Sequence, residues 1–290
     1  MKPSNPTVVI TGASTGIGQA CALYLDSRGH TVLAGVRRAE DGDALKQNAS
    51  ERLTPILLDV TDEDSIRASV VQVEDRVGDA GLNGLVNNAG IAVGGPLEFI
   101  DIADFRRQVE VNLTGQVAVT QAYLPLLRRA TGRIINMGSI GGRSALPFFG
   151  PYAATKFGLE AITDALRLEL RPWGIGVVII EPGSIKTPIW RKSASPETVS
   201  RFPPEAHAKY GAVLDAMIRV SARIEAQGLP AIEVAKAVEH ALTARRPKYR
   251  YLVGRDVAWS VFLERLPTWL RDAIIARRIG ALGQGRDQGA

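Results

Sequence analysis

The sequence predicts an α/β protein: a doubly wound, mostly parallel sheet of seven strands with helices on both faces, built as a single domain of 290 residues. Three observations carry this reading. Short β-branched runs alternate with helix-length stretches along the chain. Those runs are continuously apolar, as strands covered on both faces require. A glycine-rich turn, TGASTGIG, follows the first run where it passes into the first helical stretch. Domains usually hold roughly 100–200 residues, but α/β folds reach this length as one unit.

In chain order the strands are TVVIT (7–11), HTVLAGV (30–36), RLTPILLD (52–59), GLVNNA (84–89), GRIINMGS (132–139), GIGVVIIEPG (174–183) and RYLVG (250–254). Helices are expected at 17–28, 62–77, 101–130, 152–171 and 231–245, with the third and fourth long. Residues 187–228 show no strand pattern and are too long for a plain connection. Two short helices on a mobile linker are expected there, forming a substrate-binding lid. Residues 255–290 extend the fold as a C-terminal helical segment.

Composition narrows the function. The chain has 35 Lys and Arg against 30 Asp and Glu, a net charge of +5, yet its cations are scattered and no basic run of five occurs, which disfavours nucleic acid as a partner. The lone Cys21 rules out an intramolecular disulfide and any clustered-cysteine metal site. Residues 1–6 are polar and run straight into the first strand, and no window of about 18 apolar residues follows, so a soluble cytoplasmic protein is expected.

In the TGASTGIG turn, Gly12, Gly16 and Gly18 permit positive φ or close approach of backbone to a ligand, and the next helix aims its free N–H groups at the same spot. A pyrophosphate fits there, beside Ser14, Thr15 and Ile17. The order G-x-x-x-G-x-G differs from the commoner G-x-G-x-x-G. The second strand ends in AGVRR, with no acid before Glu40. A carboxylate there would accept the ribose hydroxyls of NAD and repel a 2′-phosphate, whereas Arg37 and Arg38 can grip that phosphate, so NADP(H) is favoured and NAD(H) remains open. Thr15 offers no second cation. Asp59, followed by Val60, either meets the adenine amine or caps the helix beginning at Thr61 or Asp62.

At the other end of the candidate site lies YAATK. Tyr152 and Lys156 are four residues apart and share one helical face, so the ammonium is expected to lower the phenol pKa toward the range of a general acid/base. Ser139 closes a predicted strand thirteen residues earlier, at the carboxyl edge where open α/β sheets hold ligands. Asn112 sits inside the long third helix with Gly115 three residues on, two residues that helix propensity would not choose.

TGASTGIG, NNAG (87–90), Asn112, Ser139, YAATK and PGSIKT (182–187) stand in the order and at the spacings of short-chain dehydrogenase/reductases, and over about residues 7–190 the chain resembles that family. The resemblance implies a Rossmann fold. It implies that Tyr152 exchanges a proton with the substrate oxygen and that Ser139 hydrogen-bonds this oxygen. Lys156 lowers the tyrosine pKa and holds the nicotinamide ribose, and Asn112 supports a water next to Lys156. Asn88, Ala89 and Gly90 flank the cofactor, while Pro182, Gly183, Ile185 and Thr187 line its nicotinamide and pyrophosphate. A homodimer or homotetramer formed through the two long helices is also implied. His30, His207 and His240 bear no suggestive spacing to Ser139, so a Ser-His hydrolase is disfavoured.

For the substrate, Phe148 and Phe149 precede Tyr152, and the lid carries Trp190, Phe202, Tyr210, Val213, Leu214 and Met217. With no cluster of charges among them, a bulky apolar alcohol or ketone is expected. LVGRD and VLAGVRR are similar to the retinol and 17β-hydroxysteroid dehydrogenase branch. In the extension, Trp259, Phe262, Leu263, Leu266, Trp269 and Leu270 recur at spacings of three and four, a pattern that either packs over the cleft or a subunit interface, or meets a membrane surface with help from Arg265, Arg271, Arg277 and Arg278. The rival functions are a nucleotide-sugar epimerase or dehydratase and a non-catalytic dinucleotide sensor.

Overall fold

The computed structural model describes residues 6–254 and 257–279. Seven strands, β1 (Thr7–Ile10), β2 (Thr31–Val36), β3 (Leu53–Leu57), β4 (Gly84–Asn87), β5 (Arg133–Met137), β6 (Gly176–Pro182) and β7 (Arg250–Val253), form one sheet in the order β3-β2-β1-β4-β5-β6-β7. Every neighbouring pair is parallel. The order reverses between β1 and β4, which opens a crevice at their carboxyl ends.

Side chains along each strand alternate between two cores. Val8, Ile10, Val32 and Ala34 face the layer of helices α1 (Gly16–Ser27), α2 (Ala39–Lys46) and α10 (Ile232–Thr243), whereas Val9, Leu33, Leu85 and Ile134 face α3 (Glu63–Val77), α5 (Gly115–Ala130) and α6 (Gly150–Glu169). That two-sided burial is why the strands read as unbroken apolar runs.

Helix α2 lies outside the expected set. Of its residues only Gly42 and Leu45 are buried, so the segment AEDGDALK shows no apolar stripe. The long helix expected at 101–130 is divided into α4 (Ile102–Val109), a π-helical turn at Glu110–Thr114 and α5. Gly115 follows the π turn because a Cβ there would come within 2.5 Å of the Val60 carbonyl oxygen.

Residues 187–228 also differ from expectation. They hold α7 (Pro188–Ser193), α8 (Pro196–Val199) and a third, long helix, α9 (Pro204–Gln227), of 24 residues. Ala206, Val213, Leu214, Met217 and Ser221 form its buried stripe, and Pro204 occupies its first turn. The base of this excursion is tied together: Leu229 donates to the Ser184 carbonyl at 2.9 Å, and Lys186 donates to the Leu229 carbonyl at 2.9 Å. Beyond β7, helices α11 (Val257–Glu264) and α12 (Thr268–Ile279) follow, with α11 lying against β7.

Gly18 tests how tightly this frame is drawn at the crevice. A Cβ there would overlap the Gly12 carbonyl oxygen and Asn88 Nδ2. Helix propensity alone favours Gly18→Ala by about 1 kcal/mol, but the overlap with fixed backbone is expected to dominate, destabilising the fold by about 1–3 kcal/mol in thermal or denaturant unfolding. A gain in stability would contradict this packing.

Candidate active site

The reversal of strand order brings β1 and β4 side by side, and the chain knits them there. The buried Thr11 hydroxyl accepts from the amides of Asn88 and Ala89, each at 2.9 Å, while Asn88 Nδ2 donates back to the carbonyls of Thr11 at 2.9 Å and Gly12 at 3.1 Å. Gly12 has φ +64°, and a Cβ on it would lie 2.8 Å from the Ala89 Cα. Gly16 has φ +62° and faces Thr187. Glycine is therefore required at both positions, by conformation and, at Gly12, by contact. Thr15 leaves the first turn of α1 without a side-chain cap, and that turn contains no acid. The N–H groups there point into a cleft of ≈ 520 Å³, within the range of small-ligand sites. This cradle fits a dinucleotide pyrophosphate.

Of the residues singled out from the sequence, Gly12, Ser14, Thr15, Gly16, Ile17, Arg37, Asp59, Val60, Asn88, Ala89, Gly90, Ser139, Tyr152, Lys156, Pro182, Gly183, Ile185 and Thr187 all line this one cleft. Three other catalytic or cofactor candidates do not, and of the substrate-side candidates only Trp190 does, Phe148, Phe149, Phe202, Tyr210, Leu214 and Met217 packing together beyond it. Gly18 stands behind the turn as a packing residue. Arg38 turns away and clamps the Asp41 carboxylate through two hydrogen bonds of 3.0 and 2.7 Å, because an acid three residues on is its nearest partner. Asn112 is fully buried behind the cleft, where its amide accepts from the Ile91 N–H and donates to the Ile91 carbonyl, both at 2.8 Å, and donates to Thr155 Oγ1 at 3.2 Å. It thus ties the loop after β4 to the residue preceding Lys156. For Asp59 the open choice is resolved: Asp62 caps α3, accepting from Asp64 and Ser65, while Asp59 holds the turn at Thr61 and faces the cleft.

At the chemical end, Ser139 closes β5 and its Oγ accepts from the Gly141 N–H at 3.0 Å. Gly141 lies between it and Tyr152, since a Cβ on Gly141 would be 3.4 Å from Ser139 Oγ and 3.3 Å from the tyrosine ring. One turn along α6, the buried Lys156 ammonium donates to the Met137 carbonyl at 2.7 Å and sits 5.7 Å from the centre of the Tyr152 ring. Burial holds the Tyr152 phenol above its ordinary pKa, opposed by its hydrogen bond with Ser139. The lowering expected from Lys156, whose ammonium is hydrogen-bonded to the end of β5 and lies 5.7 Å from the ring centre, does not outweigh that burial. Burial also lowers Lys156 itself to about 8, with Glu160 opposing.

Other contributors were not apparent in the sequence. Thr11 is one. A second is a buried ladder in which Asn87 Nδ2 donates to Thr120 Oγ1 at 2.8 Å and to Asn136 Oδ1 at 2.9 Å, and Asn136 Nδ2 donates to Thr163 Oγ1 at 2.8 Å. It bolts β4 and β5 to α5 and α6, the helices that carry the site. Arg107 and Lys192 also line the cleft. Among the described side chains of 257–277 none lines it, and Leu263 of α11 is buried instead; Arg278 and the rest of the extension lie outside the described side chains.

Chemically, the chain places a phenol, a hydroxyl and an ammonium around one point. A nicotinamide dinucleotide held by the cradle at Gly12 and Gly16 would supply hydride chemistry. The phenol is placed to give or take a proton at a substrate oxygen, the Ser139 hydroxyl to orient that oxygen, and the Lys156 ammonium to favour the phenolate form. Tyr152→Phe is expected to abolish turnover while NADPH affinity, followed by its fluorescence, changes no more than a few-fold; undiminished turnover would remove Tyr152 from the chemistry. Because Lys156 loses its proton near pH 8 and the phenol only at higher pH, kcat/KM for ketone reduction is expected to fall about tenfold per unit above pH 8. A flat profile to pH 10 would contradict the buried ammonium.

Known proteins share this arrangement. The family model for short chain dehydrogenases matches residues 6–198. Retinol dehydrogenase 5 of Homo sapiens is 41% identical over 284 residues, 94% of this chain and 88% of that protein. 17-beta-hydroxysteroid dehydrogenase type 6 of Homo sapiens is 38% identical over 285 residues, 93% of this chain and 87% of that protein. The crystal structure of a short chain dehydrogenase from Burkholderia cenocepacia in complex with NADP has a TM-score of 0.72 at 26% identity, covering 96% of this chain and 98% of that one. With the cradle, the acid–base group and these relatives in register, the chain belongs to the short-chain dehydrogenase/reductase family and is an oxidoreductase that acts on CH–OH groups with a nicotinamide dinucleotide.

Proposed function

We propose that the substrate is a bulky apolar alcohol or its ketone or aldehyde, of retinoid, steroid or related lipid character, and that NADP(H) is the preferred cofactor. The observation that carries the substrate reading is an aromatic cluster that reaches the cleft of Tyr152 through Trp190. Phe149 meets Trp190 edge-on at 6.0 Å, Phe148 meets Tyr210 at 6.1 Å, and Phe202 packs with Leu214 and Met217 in the same cluster. Trp190 reaches the cleft together with Ile91, Ala92, Val93, Val111 and Ile189, an apolar lining that would desolvate a hydrocarbon skeleton. The names of the two human relatives agree with this class of substrate. An epimerase or a silent sensor has no comparable support.

For the cofactor, Arg37 is exposed at the end of β2 and lines the cleft, and Lys192 of α7 lines it from the lid side. Both charges act on Asp41, so they share one neighbourhood. Two cations lining the cleft, with no acid before Glu40 at the end of the second strand and Asp41 held by Arg38, suit a 2′-phosphate. Self-association through α5 and α6 accords with the exposed Phe157 and Leu168. Shallow contact with a lipid surface accords with Trp269, 73% exposed on α12; no described helix is long and apolar enough to cross a membrane. A cytoplasmic setting is part of the same reading.

Arg37→Ala is expected to weaken NADPH at least tenfold more than NADH in fluorescence titrations, and equal effects would remove the 2′-phosphate argument. A panel of retinoid, steroid and short aliphatic ketones, followed by loss of NADPH absorbance, is expected to give the highest kcat/KM on the bulky members. A preference for short polar ketones would contradict the aromatic cluster.

A further inference from the structure

Behind Lys156 lies a group of charged side chains that the proton transfer described above does not use. Glu160 is one turn further along α6 and only 9% exposed. It accepts from Arg250 Nη1 of β7, and the same nitrogen donates to Glu181 Oε1 of β6 at 3.0 Å, while Arg250 Nη2 meets both oxygens of Asp164 at 2.9 Å. Glu181 is fully buried, and its other oxygen accepts from Arg143 Nε, four residues beyond Ser139. Arg143 Nη1 then reaches Glu264 Oε2 of α11 at 3.4 Å.

The group is welded to the active site by packing as well as by sequence. A Cβ on Gly142 would stand 2.9 Å from the Lys156 carbonyl oxygen and 3.2 Å from Glu160 Cγ, so the turn that carries Ser139 into Arg143 rests on the α6 turn between Lys156 and Glu160. Four carboxylates here face two arginines, Arg143 and Arg250; the remaining cations are Arg167, 2.8 Å from Asp164, and Lys156. Glu160 Oε1 and Glu264 Oε1 are buried with no hydrogen-bond partner among the described residues, so each carboxylate keeps charge that its arginine does not fully answer.

The geometry points to this network as an extension of the acid–base site: Glu160 is a positioning residue that keeps Lys156 cationic, and Glu264 is its outermost member, joining the C-terminal helix to the reaction. A buried ammonium is unstable unless opposite charge lies close. Glu160 supplies that charge through the helix it shares with Lys156, and Arg250, Glu181, Arg143, Asp164 and Glu264 set how much of it is left over. Burial and Glu181 raise Glu160, while the Glu160 charge opposes the lowering that burial imposes on Lys156. Removing the carboxylate therefore lowers the lysine pKa and cannot raise it.

The inference rests on the acid–base reading of Tyr152 and Lys156. Its test is the pH profile of kcat/KM for ketone reduction in the full chain, using the best ketone of the panel above. Glu160→Gln is expected to move the alkaline limb down by about one pH unit, a tenfold loss at pH 8.5 with little loss at pH 6, and Glu160→Asp is expected to restore part of the shift. Glu264→Gln, at the outer edge of the network and safe for folding if Glu160→Gln is not, is expected to move the limb in the same direction by a smaller, measurable amount. A Glu160→Gln enzyme that loses the same factor at every pH, or a Glu264→Gln enzyme whose limb stays in place, overturns the proposal. Tyr152→Phe run alongside separates the two ideas: turnover there would remove the acid–base assignment, whereas an inactive Tyr152→Phe with unshifted glutamate variants removes only the network.

Discussion

A lysine with 4% of its surface exposed must be given back what water supplied, and much of this structure follows from how that is done. Lys156 Nζ needs an acceptor, and the end of β5 provides the Met137 carbonyl at 2.7 Å. That bond fixes α6 against the carboxyl edge of the sheet, and with it the phenol one turn earlier. The same edge turns through Ser139 and Gly142, whose lack of a side chain lets the backbone rest on Lys156. A charge, a phenol and a hydroxyl thus share one place because the strand end that receives the ammonium is also the one that leads into Ser139.

The other end of the cleft obeys a different constraint. At the strand reversal two backbones approach so closely that Gly12, Gly18 and Ala89 must nearly touch, and Thr11 and Asn88 spend their hydrogen bonds holding them. The result is a rigid rim of N–H groups facing the cleft. Between rim and ammonium the polar ladder of Asn87, Asn136, Thr120 and Thr163 keeps β4 and β5 in register with their helices. Such buried networks are stable when their donors are satisfied, and they specify a single arrangement better than apolar packing does.

How much of this was legible depended on whether the signal was local. All seven strands were, because burial on both faces writes itself as continuous valine and isoleucine. The cleft residues were legible through motifs whose spacing reflects one helix or one turn, as in Tyr152 and Lys156. Helix α2 was hidden because Leu45 is its only buried large residue, and α9 because its stripe is built from widely spaced Ala206, Val213, Leu214 and Met217 behind two prolines. Arg38 was misplaced for a local reason as well, the competing Asp41. Glu160, Glu181, Arg143, Arg250 and Glu264 come from five separate segments, and no pattern along the chain could announce that they meet.

The central claim is that a hydride moves directly between the nicotinamide ring and a carbinol carbon held at Tyr152. The most direct measurement uses NADPH carrying deuterium at both C4 positions of the ring and a bulky ketone, with the alcohol product examined by mass spectrometry and NMR. The account predicts one deuterium per product molecule, on the carbinol carbon and delivered to one face only. Product without deuterium, or deuterium lost to water, would contradict it.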